Sequence, residues 1–570
     1  MTTPTTPPAT TAGAASPQDA GARPEQSIET VSFVSLGCPK NLVDSEKMLG
    51  LLAEDGIRPV GFDAEDEQQV DAVVINTCGF LEASKEESLQ VIREAVERKQ
   101  RGEVKRVVVA GCLVQRHRAK MLAWAPGIDA MIGVFDRDHI VRAVRGEASE
   151  REAAPSTANA PKYWIAANAL QAARDRGMQS VGLTVQGKDG KGLSYFEDDR
   201  ARLRLTPRHY AYLKVSEGCN QRCAFCTIPS IRGKMRSKPI ERILEEAREL
   251  LDDGAFEINL IGQDTTSWGD DIGCGFVRSG DGHRGGLPML LERLHDCVAT
   301  HGGGQGWLRL MYAYPSNFAD EMIDAIANLP HVCNYIDIPL QHASERMLQA
   351  MRRNVSAAHQ RALVERLRER VPGVAIRTTF ISGFPGETED DHEELLGFVE
   401  EAGFDAVGVF TYSHEAGTPA GTMEDDPALA VAEEVKARRR DEIMALQQRL
   451  AFEQAAFVAE QWDAKQPASS GCIFDVLIDK PLQSETRGIA GLAGLAEHGG
   501  TGGRAKLHQG RTYFQAPDVD AATYVVSREA LSPGELVRCA VVASDGYDLV
   551  ARPVRELSVQ MSLPIMHRSH

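Results

Sequence analysis

The sequence predicts a multidomain α/β protein: an amino-terminal α/β domain, then a partial or full barrel of β/α units, then a small β-barrel. Three observations predict it. The first 115 residues hold three short apolar runs separated by helix-like stretches. From about Leu205, six further apolar runs alternate with amphipathic segments. Beyond about Trp462, only short strand-like runs with turn residues between them remain. At 570 residues the chain is in any case too long for one ordinary domain.

Residues 1–28, rich in Thr, Pro and Ala, read as a disordered leader that lacks the apolar core of a secretory signal. Residues 29–145 form the first domain. Its runs VSFVSLGC, DAVVINTC and RVVVAGC have the unbroken apolar character of strands buried on both faces, and Glu82–Arg98 reads as a helix between the last two. Each run ends in a cysteine: Cys38, Cys78 and Cys112. A parallel sheet places all strand carboxyl ends on one edge, where ligands collect, so these three are expected to converge.

Residues 146–202, polar and rich in small residues, read as a linker or insertion. Residues 203–450 hold the β/α units. The strand candidates are YAYLKVSEGC, EINLIGQD, WLRLMYAYP, YIDIPLQH, AIRTTFISG and DAVGVFTYS, with helices between them. In one helix Ile240, Ile243, Leu244, Ala247 and Leu251 share a face. Such folds put their chemistry at the carboxyl ends of the strands. Residues 451–556 contain a helical connector and the runs CIFDVLID, TYFQAP, TYVVS and ELVRCAVVASDGYDLVARPV, read as a five-stranded barrel of the OB type with an insertion at Gly488–Gly510. Residues 557–570 form a tail.

Apolar and charged contents of 43% and 25% are those of a globular, soluble protein. No apolar run approaches the roughly 20 residues of a membrane-spanning helix, so a cytoplasmic protein is expected. A net charge of −18 argues against a duplex-binding protein without excluding a local basic groove. Eleven cysteines in such a chain point to metal ligation or catalysis rather than disulfides.

The clearest motif is EGCNQRCAFCTIP, which places Cys219, Cys223 and Cys226 in a C-x3-C-x2-C spacing just after the first strand of the β/α region. Thiolates favour zinc, copper(I) or iron–sulfur clusters. A structural zinc site wants four ligands, and no fourth Cys or His stands nearby at suitable spacing. Three thiolates on a four-iron cubane leave one iron open, as a site must if it is to bind and activate something. A three-ligand zinc knuckle is the alternative.

This triplet on the first loop of a β/α barrel resembles the radical S-adenosylmethionine (SAM) superfamily. The resemblance implies that the open iron of a 4Fe-4S cluster holds the amino and carboxylate groups of SAM. It makes Phe225 the aromatic residue near the adenine. Gln263 and Gly383, at two further strand ends, would line the SAM pocket. The alternative for ISGFPGET, which contains Gly383, is a plain turn capped by Thr388.

Cys38, Cys78 and Cys112 ahead of such a barrel, and the order of the three domains, resemble the methylthiotransferases over residues 29–556. In that family the carboxyl-terminal barrel is a TRAM domain. The resemblance implies a second 4Fe-4S cluster on those cysteines, carrying the sulfur that is transferred. SAM would then serve both as methyl donor and as radical source, and no protein acid or base is assigned.

GCPKNLVDSE and GCLVQR (residues 111–116) resemble the branch acting on an aspartate β-carbon of the twelfth small-subunit ribosomal protein, whereas the transfer-RNA branch more usually reads GCQMN. Residues 466–556 carry nine Lys and Arg against eleven Asp and Glu, an excess that suits a basic protein partner better than phosphate. The expected partners are that ribosomal protein or the assembled small subunit, a sulfur donor, and an electron donor such as flavodoxin or ferredoxin, with no membrane. The alternatives are a transfer-RNA adenosine methylthiotransferase and a non-catalytic, metal-binding RNA or ribosome adaptor. Cys274, Cys297, Cys333, Cys472 and Cys539 read as ordinary thiols.

Overall fold

The computed structural model describes residues 27–61, 70–150, 163–176, 195–275, 285–467, 470–482 and 505–557. The leader to residue 26, parts of 146–202, most of the Gly488–Gly510 segment and the tail beyond 557 lie outside the described residues.

The first sheet contains β1 (Thr30–Ser35), β2 (Arg58–Val60), β3 (Val70–Thr77), β4 (Val104–Gly111), β5 (Ala130–Ile132), β6 (Ser149–Glu150) and β7 (Tyr163–Ile165). All pair in parallel, in the order β2-β1-β3-β4-β5-β7-β6. The alternation of a doubly covered sheet is plain in its core. Val73, Ile75, Val107 and Val109 pack into one apolar layer, and Ala72, Val74, Val108 and Ala110 into the other. The stretch read as a linker thus supplies two strands, β6 and β7, to this sheet, and its residues 195–202 run along the seam to the next domain.

The central region contains β8 (Tyr210–Lys214), a short antiparallel clip of β9 (Ser216–Glu217) and β10 (Arg236–Ser237), then β11 (Glu257–Ile261), β12 (Trp307–Leu310), β13 (Val332–Asp337), β14 (Ala375–Ser382) and β15 (Ala406–Thr411). Six of these form an open parallel sheet in sequential order from β8 to β15, so the barrel is partial. Helices cover its outside. In the helix Ile240–Asp252, Ile243, Leu244, Ala247, Leu250 and Leu251 are buried against the strands.

A long helix, Glu433–Glu460, leads to a closed barrel of β16 (Ile473–Leu482), β17 (Lys506–Arg511), β18 (Thr523–Ser527), β19 (Leu536–Asp545) and β20 (Asp548–Pro553). One strand differs from the sequence expectation. TYFQAP is a turn, closed by Thr512 and Gln515 donating and accepting across its ends, and the strand is instead Lys506–Arg511, which overlaps the end of the supposed insertion. Gly510 explains the placement, because a Cβ there would stand 2.6 Å from the Leu477 carbonyl of β16.

This barrel docks on the amino-terminal edge of the central sheet. Asp479 pairs with His209, Arg511 with Glu257, Asp520 with Arg377, and Asp518 accepts from Tyr210. Three acids and one base of the carboxyl-terminal count therefore face another domain, leaving as many bases as acids for the rest. Among the described residues the acidic excess read from the sequence is not a property of the free surface, and it gives no support to a basic partner.

Candidate functional site

The opposite, carboxyl-terminal edge of the central sheet faces the amino-terminal domain, and all six motif cysteines lie there. In the first domain three glycines make the convergence possible, each beside a cysteine. A Cβ on Gly37 (φ +92°) would meet Cys78 Cβ at 2.8 Å. One on Gly79 would meet Leu113 Cα at 2.7 Å, and one on Gly111 (φ +98°) the Asn76 Oδ1 at 2.3 Å. Cys38 precedes the helix Pro39–Glu54 as its N-cap, and Cys112 opens the helix Cys112–His117. Helix amino termini favour negative charge, as a thiolate needs. The three sulfurs are close enough to act on one another. Burial pushes the Cys112 thiol up to about 12, with Cys38 and Cys78 adding to the rise while Arg232 opposes it.

In the central domain the loop of Cys219, Cys223 and Cys226 is pinned by its backbone. Cys219 N donates to Gly233 O at 3.1 Å, Ala224 N to Met351 O at 2.8 Å, and Ala420 N to Ala224 O at 3.0 Å. Burial raises both Cys219 and Cys226 to about 12. Phe225 packs against a buried cluster that contains Phe384, Tyr412 and Met347. Gln263, just beyond β11, has both amide atoms buried with no partner among the described residues. Gly383 (φ +74°) lies against Lys436, where a Cβ would come within 2.2 Å of its Cγ, and its amide donates to Glu387 at 2.7 Å. Thr388 does cap the following helix, in a reciprocal pair with Asp391.

Several residues of the site carry no sequence signal of their own. Each triad has one arginine on one of its sulfurs. Arg353 donates to Cys223 Sγ at 3.4 Å while stacking on Tyr314 at 4.1 Å. Arg232 hydrogen-bonds the Cys112 side chain and pairs with Glu217 at 2.9 Å and Asp44 at 3.1 Å. Arg232 ends the helix Ile228–Arg232, which starts two residues after Cys226. Arg116 binds the Gly79 and Phe80 carbonyls and Glu415 of the central domain, which also accepts from Glu82 N, so the Cys78 and Cys112 loops are clamped across the seam. The other five cysteines take no part. Cys297, Cys333 and Cys539 are buried in the hydrophobic packing.

The donor sets fit iron–sulfur cubanes. Each is three thiols with a guanidinium beside it to offset thiolate charge. Among the described residues no three His, Cys, Asp or Glu side chains stand close enough to hold a single metal ion. The unpartnered Gln263 amide and the Phe225 ring are an unfinished polar group and an apolar wall, as a SAM pocket requires. Among the described residues no helix is long and apolar enough to cross a membrane.

Residues 213–399 match the family model described as Radical SAM superfamily, residues 30–133 that of Uncharacterized protein family UPF0004, and residues 500–554 that of the TRAM domain. The chain is 36% identical over 522 residues to the ribosomal protein uS12 methylthiotransferase RimO of Geobacter sulfurreducens, covering 92% of this chain and 98% of that one. The protein of the same name from Desulforamulus reducens is 36% identical over 523 residues, covering 92% and 99%. That of Anaeromyxobacter sp. (strain Fw109-5) is 39% identical over 520 residues, covering 91% and 92%.

Proposed function

The chain belongs to the ribosomal protein uS12 methylthiotransferase family, and from that premise we propose that it installs a methylthio group on the β-carbon of an aspartate of uS12. The observation that carries this reading is the pair of thiol triads facing one another across the helix Ile228–Arg232. Cys219, Cys223 and Cys226 would hold the cluster that binds SAM, and Cys38, Cys78 and Cys112 a second cluster. When bound, these groups supply a radical able to take a hydrogen atom from an unactivated C–H bond, and the sulfur that replaces it.

The chain's own residues supply position and exclusion of water. Arg353 fixes Cys223, and Gln263 and Phe225 present a polar group and an apolar wall to SAM. Arg232 ties the Cys112 side to the helix that follows Cys226. The Arg116–Glu415 pair, with Glu415 only 2% exposed, closes the seam beside Cys78. A sulfur donor and a low-potential electron donor such as flavodoxin or ferredoxin are the co-reactants this reading requires, and the cytoplasm is where its substrate is made.

The test uses anaerobically reconstituted protein with SAM, sulfide and a reductant, offered uS12 or unmodified transfer RNA separately. A methylthio mass gain on an aspartate of uS12 is expected. Gain on adenosine alone would keep the chemistry and overturn the substrate. One zinc and no iron per chain would overturn both.

A further inference from the structure

The seam between the triads is lined with buried cations, and one of them differs from the rest. Arg232 pairs with Glu217 and Asp44, Lys214 with Asp44 and Asp199, and Arg137 with the same two acids. Lys40 is equally enclosed, at 6% exposure, yet no carboxylate oxygen among the described residues lies within 4.0 Å of its ammonium. Its Nζ donates once, to the Gly262 carbonyl at 2.6 Å, and sits 4.0 Å from the centroid of the Tyr312 ring. An ammonium has three donors, and a buried charge without a counter-charge is costly.

Its surroundings point to a ligand. Lys40 follows Cys38 by two residues; burial and the Arg232 guanidinium oppose its charge, whereas Cys38 and Cys112 of the first triad and the more distant Glu217 carboxylate favour it. Gly262 is next to Gln263, whose amide is the buried, unpartnered group at the end of β11. Tyr312, beneath the ammonium, holds φ +60°, a conformation rare for a bulky residue, and its backbone N donates to Asp337 at 3.1 Å. A buried ammonium with a single hydrogen bond and a strained aromatic floor thus meet beside the first triad.

We propose that Lys40 binds the side-chain carboxylate of the substrate aspartate and so selects an acidic residue for modification. The inference rests on the substrate reading above. The β-carbon is bonded directly to that carboxylate carbon, so holding the carboxylate fixes the reacting carbon to within one bond. A carboxylate completes the Lys40 ammonium as the neighbouring acids complete Arg232 and Lys214.

The experiment measures the dissociation constant of reconstituted enzyme for purified uS12 and for uS12 with the target aspartate changed to asparagine. Wild-type enzyme should favour the aspartate form by about ten- to a hundredfold, the range of one charge-assisted hydrogen bond. Lys40→Met should bind both forms alike. Lys40→Gln keeps a donor for Gly262 but no charge, and should also lose the preference, which separates charge recognition from packing. Iron content and the melting curve check that each variant is folded and loaded. An undiminished preference in Lys40→Gln would overturn the inference, as would an equal weakening of both forms with the preference intact. If wild-type enzyme binds neither form, the substrate reading fails and this one with it.

Discussion

Gly37→Ala isolates the first triad from the second. Gly37 has φ +92°, and the added Cβ would stand 2.8 Å from Cys78 Cβ and 3.2 Å from its Sγ. Carbon atoms rest at roughly 3.5–4.0 Å, so Cys78 must retreat by on the order of 1 Å. Ligand distances in a metal site hold within about 0.2 Å, which takes the Cys78 sulfur out of the set. The backbone strain adds about 1–3 kcal/mol, small enough against an ordinary domain's stability for the chain to fold. Iron and acid-labile sulfide per chain should therefore halve after reconstitution, while SAM is still cleaved to 5′-deoxyadenosine. Methylthiolated product should fall by about a hundredfold or more, as an ångström of misplacement at a reacting centre costs. Metal analysis, electron paramagnetic resonance and product mass spectrometry read the three quantities. Full iron content with wild-type product would refute the account of why glycine stands before Cys38.

Arg353→Gln removes a positive donor from Cys223, so the potential of the SAM-binding cluster should become more negative in a redox titration; an unchanged or raised potential would contradict the contact as described. Asp44→Asn leaves Lys214, Arg232 and Arg137 short of a counter-charge in a buried seam and should cost about 3–5 kcal/mol in denaturant unfolding, whereas a loss under about 1 kcal/mol would show the network is redundant. His342 is fully enclosed, accepts at Nδ1 from the Ala343 and Ser344 amides, and is held by burial at about 3, well below its ordinary 6.5. Its neutral form is the folded form, so its contribution is complete above about pH 6.5 and declines as pH falls towards 3. At about 1.4 kcal/mol per unit, wild type should lose about 2 kcal/mol more than His342→Gln between pH 7 and pH 5, and equal losses would refute the assignment.

The features legible in the sequence are those whose physics is local. β1, β3 and β4 are buried on both faces, so they read as unbroken apolar runs, and the cysteine after each falls on the ligand edge by topology alone. The C-x3-C-x2-C spacing marks a set of thiolate ligands, and its resemblance to the radical SAM superfamily supplies the chemistry. β17 was hidden because its buried residues are His508, Gly510 and Arg511, which form no apolar stripe. TYFQAP imitated a strand because Tyr513 and Phe514 are aromatic, but they pack on Phe474 from a turn. β7 is three residues in a polar stretch. Lys40, Arg232 and Arg353 were invisible because their partners are remote: Lys40 meets Gly262, and Arg353 meets a sulfur 130 residues earlier.

The ionic seam bears on why the triads face each other as they do. Burying charge gains little stability over a well-packed apolar interface, and what it can add is a fixed register between the surfaces it joins. Asp44 takes its three cations from three places: Arg137 from the first domain, Lys214 from the end of β8, and Arg232 from the helix after the cysteine loop. On one side Asp44 lies six residues from Cys38 on the same helix; on the other, Arg232 lies six residues from Cys226 and touches Cys112. One carboxylate is therefore tied to both triads through rigid segments. An apolar seam could slide by an ångström at little cost, whereas these charge-assisted hydrogen bonds have fixed lengths and directions. Under the proposed division of labour, transfer between the two centres is the step that such sliding would damage, because cleavage of SAM would use only the second triad.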